Sequence, residues 1–328
     1  HGFFTNCVIG HLWHMVHGAH FKRMFGSDFN PHLYELIDTC ADHRHWEGGD
    51  WKSSRFGVKH DQSGGGHAHS GAMIYLGDNW PEEYRGSLLT CNVHGNRVNR
   101  DRLERQGSGF VGRHSPDFLR AEDPWFVGLK LIYGPDGGVY ISDWSDFGEC
   151  HDNDGVHRSS GRIYKVVHGQ PTSIDAKLDL RQLSNEQLIE LQTHRNDWFA
   201  RRARLNLQHR ARLEPGAVSS AVSPLRDLIR DTQQPLVHRL RYLWALHVTQ
   251  GVQTELLLQL LVDPEIDIRV WAVRLLADRG SVPASAHDAL IARASAETSP
   301  FCRLHFASVM TRLPLHRRVE LAEALTAN

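Results

Sequence analysis

Glycine restricts this chain more than any other residue, because it is spread so unevenly. Of 28 glycines, 25 lie in residues 1–170 and three in residues 171–328. Glycine weakens helices and serves tight turns, so the dense part suits short strands and the sparse part suits helices. The division falls at Gly169-Gln170-Pro171. Charge shifts across the same point, from 17 basic and 21 acidic residues before it to 20 and 17 after it. Over all 328 residues the formal net charge is −1. No basic field is left to hold a nucleic-acid backbone, and no nucleic-acid partner is expected. Cys7, Cys40, Cys91, Cys150 and Cys302 form neither C-x-x-C nor C-x-x-C-H, which excludes a zinc ribbon and a c-type haem motif within these residues.

Residues 1–170 read as all-β. Strands are expected over 3–9, 72–76, 87–93, 97–103, 126–133, 139–142 and 161–166, with Gly77-Asp78-Asn79 and Gly134-Pro135-Asp136-Gly137-Gly138 as turns. Such a meander makes a sandwich or a propeller. One helix is expected over 31–40, with Leu33, Leu36 and Ile37 on one face. Residues 171–328 read as all-α, in helix pairs. Arg201, Arg239, Arg269 and Arg303 each open a run that continues with Leu205, Leu243, Val273 and Ala307, at spacings of 38, 30 and 34 residues. That period belongs to α-solenoids, and an irregular helical bundle is the alternative. The stretch Asp267-Ile268-Arg269-Val270-Trp271-Ala272-Val273-Arg274-Leu275-Leu276 resembles HEAT repeats.

Several residues carry chemistry. His67 and His69 stand two apart, which on a strand puts both rings on one face, suited to shared metal ligation or to a base with a neighbour. Gly64-Gly65-Gly66 before them lets backbone approach a ligand closely; the plainer alternative is two turn histidines bonded to backbone carbonyls. Asp143, Asp146, Glu149, Asp152 and Asp154 concentrate oxygen ligands of the kind Ca²⁺ takes, although Asp152-Asn153-Asp154-Gly155 covers only a fragment of an EF-hand loop. The alternative is a solvated acidic loop, with His151 and His157 as proton carriers. Arg97 and Arg113 are suited to bidentate capture of a carboxylate or a quinone. Arg97, Arg100, Arg102 and Arg105, interleaved with Asp101 and Glu104, read chiefly as a salt-bridged solvated face. Arg113-His114, bracketed by Gly112 and Pro116, is expected in a turn. Trp80, Trp125 and Trp144 read as packing between blades or as a sugar-stacking platform, and Cys150 beside His151 as a thiol to test. No phosphate loop, dinucleotide fingerprint or nucleophile elbow is present.

Gly-Pro-Asp-Gly-Gly-Val-Tyr-Ile-Ser-Asp at 134–143 resembles the blade motif of the glucose/sorbosone dehydrogenase propellers, and Gly161-Arg162-Ile163-Tyr164 their closing strand. Residues 65–71 (GGHAHSG), 75–81 (YLGDNWP) and 148–152 (GECHD) resemble the membrane-bound dehydrogenase family of PVC-type haem-binding propeller proteins. The likeness spans essentially all of 1–170, and HEAT-like helices follow in that family's order. It implies a partial β-propeller of about three blades over 1–170, with further blades upstream of His1, because closed propellers have about four to eight. The helical repeats then occupy 171–328. It also implies a propeller-type oxidoreductase acting on a sugar or alcohol, with pyrroloquinoline quinone and Ca²⁺. In that chemistry His67 or His69 would be the base, and Arg113, with His114, the anion stabiliser. Arg97, Trp144 and His151 would face the cofactor, and Asp143, Asp146, Glu149, Asp152 and Asp154 the metal. A cytochrome c electron acceptor, a protein partner on the HEAT surface, and a periplasmic, secreted or membrane-associated location come with the same likeness. The alternatives are a non-catalytic glycan- or protein-binding propeller on a HEAT scaffold, and metal-dependent hydrolysis.

Overall fold

A computed structural model describes residues 2–6, 11–22, 35–43, 64–66, 68–146 and 159–327. The chain forms two compact units, His1–Met15 with Ala19–Ser173 and Val16–Gly18 with Ile174–Asn328. The first holds β-sheets and the second helices; neither a closed ring of blades nor a completed superhelix stands among the described residues. None of the described helices is long and apolar enough to cross a membrane.

The three sheets among the described residues of the first unit are antiparallel. Strands β1 (Gly2–Phe4) and β2 (Trp13–Met15) make a small hairpin. A four-stranded sheet follows in chain order: β3 (His69–Ile74), β4 (Leu88–Asn92), β5 (Arg97–Gln106) and β6 (Gly109–Arg120). A three-stranded sheet closes the unit with β7 (Gly128–Tyr133), β8 (Val139–Asp143) and β9 (Arg162–Val166).

Two expectations fail here. Among the described residues 35–40 there is no helix, because Ile37 bridges Phe21 and its N–H donates to the His20 carbonyl at 2.8 Å instead of to a helical neighbour. Arg113-His114 lies inside β6 and not in a turn. Pro116 hid that strand, yet β6 is a sheet edge, and the pairing register slips opposite it between Val98 and Arg100, so no ladder N–H is missed.

The two larger sheets meet where β7 packs on β3 and β4. Small residues allow the approach: a Cβ on Gly128 would stand 2.8 Å from the Cys91 sulfur. Tyr75, fully buried, ties the chain after β3 to the β7–β8 turn. Its hydroxyl donates to the Gly137 carbonyl at 2.8 Å and accepts from Asn79 N at 3.1 Å and Trp80 N at 3.0 Å. Tyr75→Phe leaves all three groups without their partner and is expected to cost about 2 kcal/mol, read as a lower urea midpoint of the full chain.

The second unit runs α1 (Asn185–Glu190), α2 (Asp197–Leu213), α3 (Ser219–Arg230), α4 (Leu236–Val248), α5 (Thr254–Leu260), α6 (Ile266–Ala277), α7 (His287–Ala296), α8 (Pro300–Ser308) and α9 (Leu315–Thr326). Ser184 and Gln187 form a reciprocal cap at α1, and Ser299 caps α8 with Pro300 in its first turn. Helix α2 packs on α4, α4 on α6 and α6 on α8. The arginines that open these helices bind turns between them. Arg239 holds Asp263 at 3.1 and 2.5 Å, and Arg269 holds Glu297 at 2.8 and 2.9 Å. Arg303 donates to the Glu297 carbonyl at 3.1 Å. Arg201 differs: it is half-exposed and pairs with Asp197 in its own first turn.

Candidate functional site

Four of the described histidines of the first unit, His11, His43, His69 and His114, gather at one carboxylate. Asp101 sits mid-strand in β5, only 1% exposed, and its cross-strand partner in β6 is His114. Antiparallel partners project from the same face, which brings His114 Nδ1 to 3.7 Å from Asp101 Oδ1. His43 Nε2 reaches the same oxygen at 3.3 Å. His11 and His69 complete the group. The rings run His69–His11–His43–His114 with successive centroid separations of 5.0, 4.9 and 5.1 Å.

Local pairing holds these segments together. Ala41 bridges Gly112 of β6 in parallel, with Gly112 N on the Cys40 carbonyl at 2.8 Å and Asp42 N on the Gly112 carbonyl at 3.0 Å. That extension places His43 against β5. Cys40 N in turn donates to the Leu12 carbonyl at 2.9 Å, which anchors the chain beside His11. Gly112 is required there, because a Cβ would stand 2.5 Å from a Leu12 methyl.

The group is electrically uneven. Burial lowers the His11 pKa to about 4, the Asp101 charge pulling it up and His43 and His114 pushing it down. Burial also opposes a charge on His43, but Asp101 and then Asp42 outweigh it and raise its pKa above the ordinary value. Asp101 itself is held well below the usual carboxylate range: burial pushes it up, and the surrounding imidazoles overcome that. Behind His43, Asp42 Oδ1 lies 2.9 Å from Nδ1, and Arg113 fixes Asp42 at 2.8 Å and Glu104 at 2.5 Å. Among the described residues, His11, His43 and Asp101 offer ligand atoms that all lie within 4.8 Å of one another, close enough to share a metal ion.

The residues singled out from sequence divide accordingly. His69 and His114 join the group, while Arg113 stands one layer behind it, half-exposed and already ion-paired. Arg97 is buried elsewhere in the sheet, bonding Asp117 at 3.0 Å and the Gly95 carbonyl at 3.0 Å. With Asn92 and Asn99, whose amides donate to the Gly64 carbonyl at 3.1 and 2.6 Å, it steadies the triple-glycine turn ahead of His69. Arg97 and Arg100 are thus not on a solvated face. Asp143 accepts from Val127 N at 2.8 Å and Ser145 N at 2.9 Å and pairs with Arg162 at 2.7 Å, bracing the three-stranded sheet. Asp146 is buried and Trp144 exposed. Trp80 packs among Tyr84, Phe118 and His168. His67, Glu149, His151, Asp152, Asp154 and Cys150 lie outside the described residues. Burial pushes the Cys40 thiol up to about 11 and those of Cys91 and Cys302 to about 12, so none of the three is a ready nucleophile.

Sequence reasoning missed His11, His43 and Asp42 and took Asp101 for a solvated charge. No spacing rule finds them, since each arrives from a different segment; the excess of histidine in the first part was the available signal. Residues 27–170 are similar to a family described as Domain of unknown function (DUF7133), a span that includes His43, His69, Asp101 and His114 and leaves out His11. No curated protein and no solved structure matches the chain.

Proposed function

We propose that the first unit is a partial propeller whose enzymatic centre lies around Asp101, and that its reaction is the oxidation of a sugar or other alcohol. The observation that carries this reading is the convergence of three imidazoles from separate segments on one buried carboxylate, with the His69 ring stacked on the His11 ring beside them. Burying that many polar rings costs free energy that packing alone does not return, so a chemical use is the economical explanation. The up-and-down order of the two larger sheets supports blades. Stacking of α2, α4, α6 and α8 supports a HEAT-like solenoid, and exposed Leu213, Val262 and Leu315 suit a protein partner on it.

Alcohol oxidation removes a hydroxyl proton and a hydride from one carbon. His69 would take the proton, and positive charge held between His43 and Asp101 would face the developing alkoxide. The hydride leaves the carbinol carbon for a soluble quinone-type dye, which is reduced by two electrons as the alcohol becomes a carbonyl. The quinone and Ca²⁺ that the resemblance implies do not fit the described residues, and no step is drawn through them. Arg97 and Arg113 are already paired, Asp143 braces a sheet, and the centre is rich in nitrogen where Ca²⁺ takes oxygen.

Dye-linked oxidation by the full chain across a panel of sugars and alcohols tests this. Turnover should fall by about 100-fold or more in His69→Gln and in Asp101→Asn and stay unchanged in His168→Gln, whose side chain is exposed. Retained glycan binding without turnover would select the non-catalytic reading. Hydrolysis that depends on Asp101 would select the hydrolytic one, which the His11–His43–Asp101 ligand set favours.

A further inference from the structure

We infer that His11, His43 and Asp101 form a binding site for a divalent first-row transition ion. The inference holds whichever reaction the centre performs. Two imidazoles and one carboxylate, drawn from three segments, present their ligand atoms within 4.8 Å of one another. Ligands on one tetrahedral ion at about 2.0–2.2 Å lie about 3.3–3.6 Å apart, a separation that His43 Nε2 and Asp101 Oδ1 already have at 3.3 Å, so loading needs His11 to close in by at most about 1.5 Å.

A second observation points the same way. His43 has one ring nitrogen on each side of a polar sandwich: Nδ1 stands 2.9 Å from Asp42 Oδ1, and Nε2 stands 3.3 Å from Asp101 Oδ1. Asp42 therefore takes the Nδ1 side of the ring and leaves Nε2 as the nitrogen turned toward Asp101 and the shared centre. Carboxylate–imidazole–metal relays have this form, the outer carboxylate fixing the tautomer and raising ligand basicity. Arg113 then holds Asp42 in place at 2.8 Å. The donor set selects the ion class: imidazole with one carboxylate suits zinc, iron or manganese, whereas Ca²⁺ needs about six to eight oxygens.

Chelator-treated full chain titrated with Zn²⁺, Co²⁺ and Ca²⁺ tests the site by calorimetry and, for Co²⁺, by visible absorption. One equivalent of Zn²⁺ or Co²⁺ should bind, with ligand-field bands for Co²⁺, and Ca²⁺ should neither bind there nor compete. His43→Gln should weaken binding by about 100-fold or more and Asp42→Asn by about 10- to 100-fold, while His94→Gln, a buried histidine outside the cluster, should change nothing. If the variants fail to fold, the wild-type chain still decides. Co²⁺ should protect His43 from acylation by diethylpyrocarbonate, mapped by mass spectrometry, and leave exposed His168 reactive. Absent bands, binding indifferent to His43→Gln, or no protection of His43 would overturn the site and leave a proton as the cation between His43 and Asp101.

Discussion

Gly71→Ala should destabilise the first unit by about 2–5 kcal/mol, far more than a single added methyl group ordinarily does. Gly71 lies at a break in the β3–β4 register between Ser70 and Met73, with φ +61°, in the left-handed region. Alanine there carries about 1–2 kcal/mol of backbone strain. Its methyl would also stand 2.5 Å from the Leu129 carbonyl oxygen and 2.6 Å from Lys130 Cα. Both are backbone atoms of β7 in the neighbouring sheet, so no side-chain rotation relieves the clash and the sheets must part, at about 1–3 kcal/mol more. Gly86 supplies the control. Its φ is +82°, but a Cβ would meet nothing within 4 Å, so Gly86→Ala should cost only the strain. The measurement is the urea midpoint at which peptides covering β3 and β7 lose hydrogen-exchange protection in the full chain. Equal losses for the two variants would show that the sheets do not press together at Gly71. His69, two residues away, should shift with β3, so the same variant should also weaken whatever chemistry the centre performs.

Such positions show what the sequence could and could not reveal. Turn glycines and alternating strands are local, so the Gly134–Gly138 turn and the strands on either side of it were legible. The glycines ahead of His69, Gly64, Gly65 and Gly66, all have positive φ, a conformation that glycine takes readily. Strand β5 misled for a physical reason. Charged residues in a strand read as a wet face only if nothing covers them, and here Arg97 to Asp101 are all buried. The cover over Asp101 comes from His11 and His43, dozens of residues away and tied in by backbone bonds that any sequence can make. Strand β6 was lost because proline forbids a central strand but not an edge, and edge status is a property of the finished sheet. The helical part was easier, because its repeated arginines mark second helices whichever way the helices stack.

One of those arginines defines the largest effect expected in the second unit. Glu297, buried at the turn between α7 and α8, accepts from Arg269 at 2.8 and 2.9 Å, from Arg293 at 3.0 Å and from Ser299 N at 3.0 Å. Burial works against its charge, but the Arg269 guanidinium and the Ser299 amide prevail and lower its pKa from 4.5 to about 2. A carboxylate with a depressed folded-state pKa contributes its full stability above the unfolded value and loses it as pH falls toward the folded one. The window is therefore about pH 5 down to pH 2, and the contribution is about 3 kcal/mol. Glu297→Gln removes it at every pH and leaves the Arg269 guanidinium buried without its counter-charge, at about 3–5 kcal/mol near neutrality. Wild type and variant should consequently differ most at pH 7 and converge as the solution is acidified toward pH 2. Helical circular dichroism of the full chain in urea, recorded at several pH values, measures that convergence. A gap between the two proteins that stays constant from pH 7 to pH 2 would mean that Glu297 acts through packing and not through its charge.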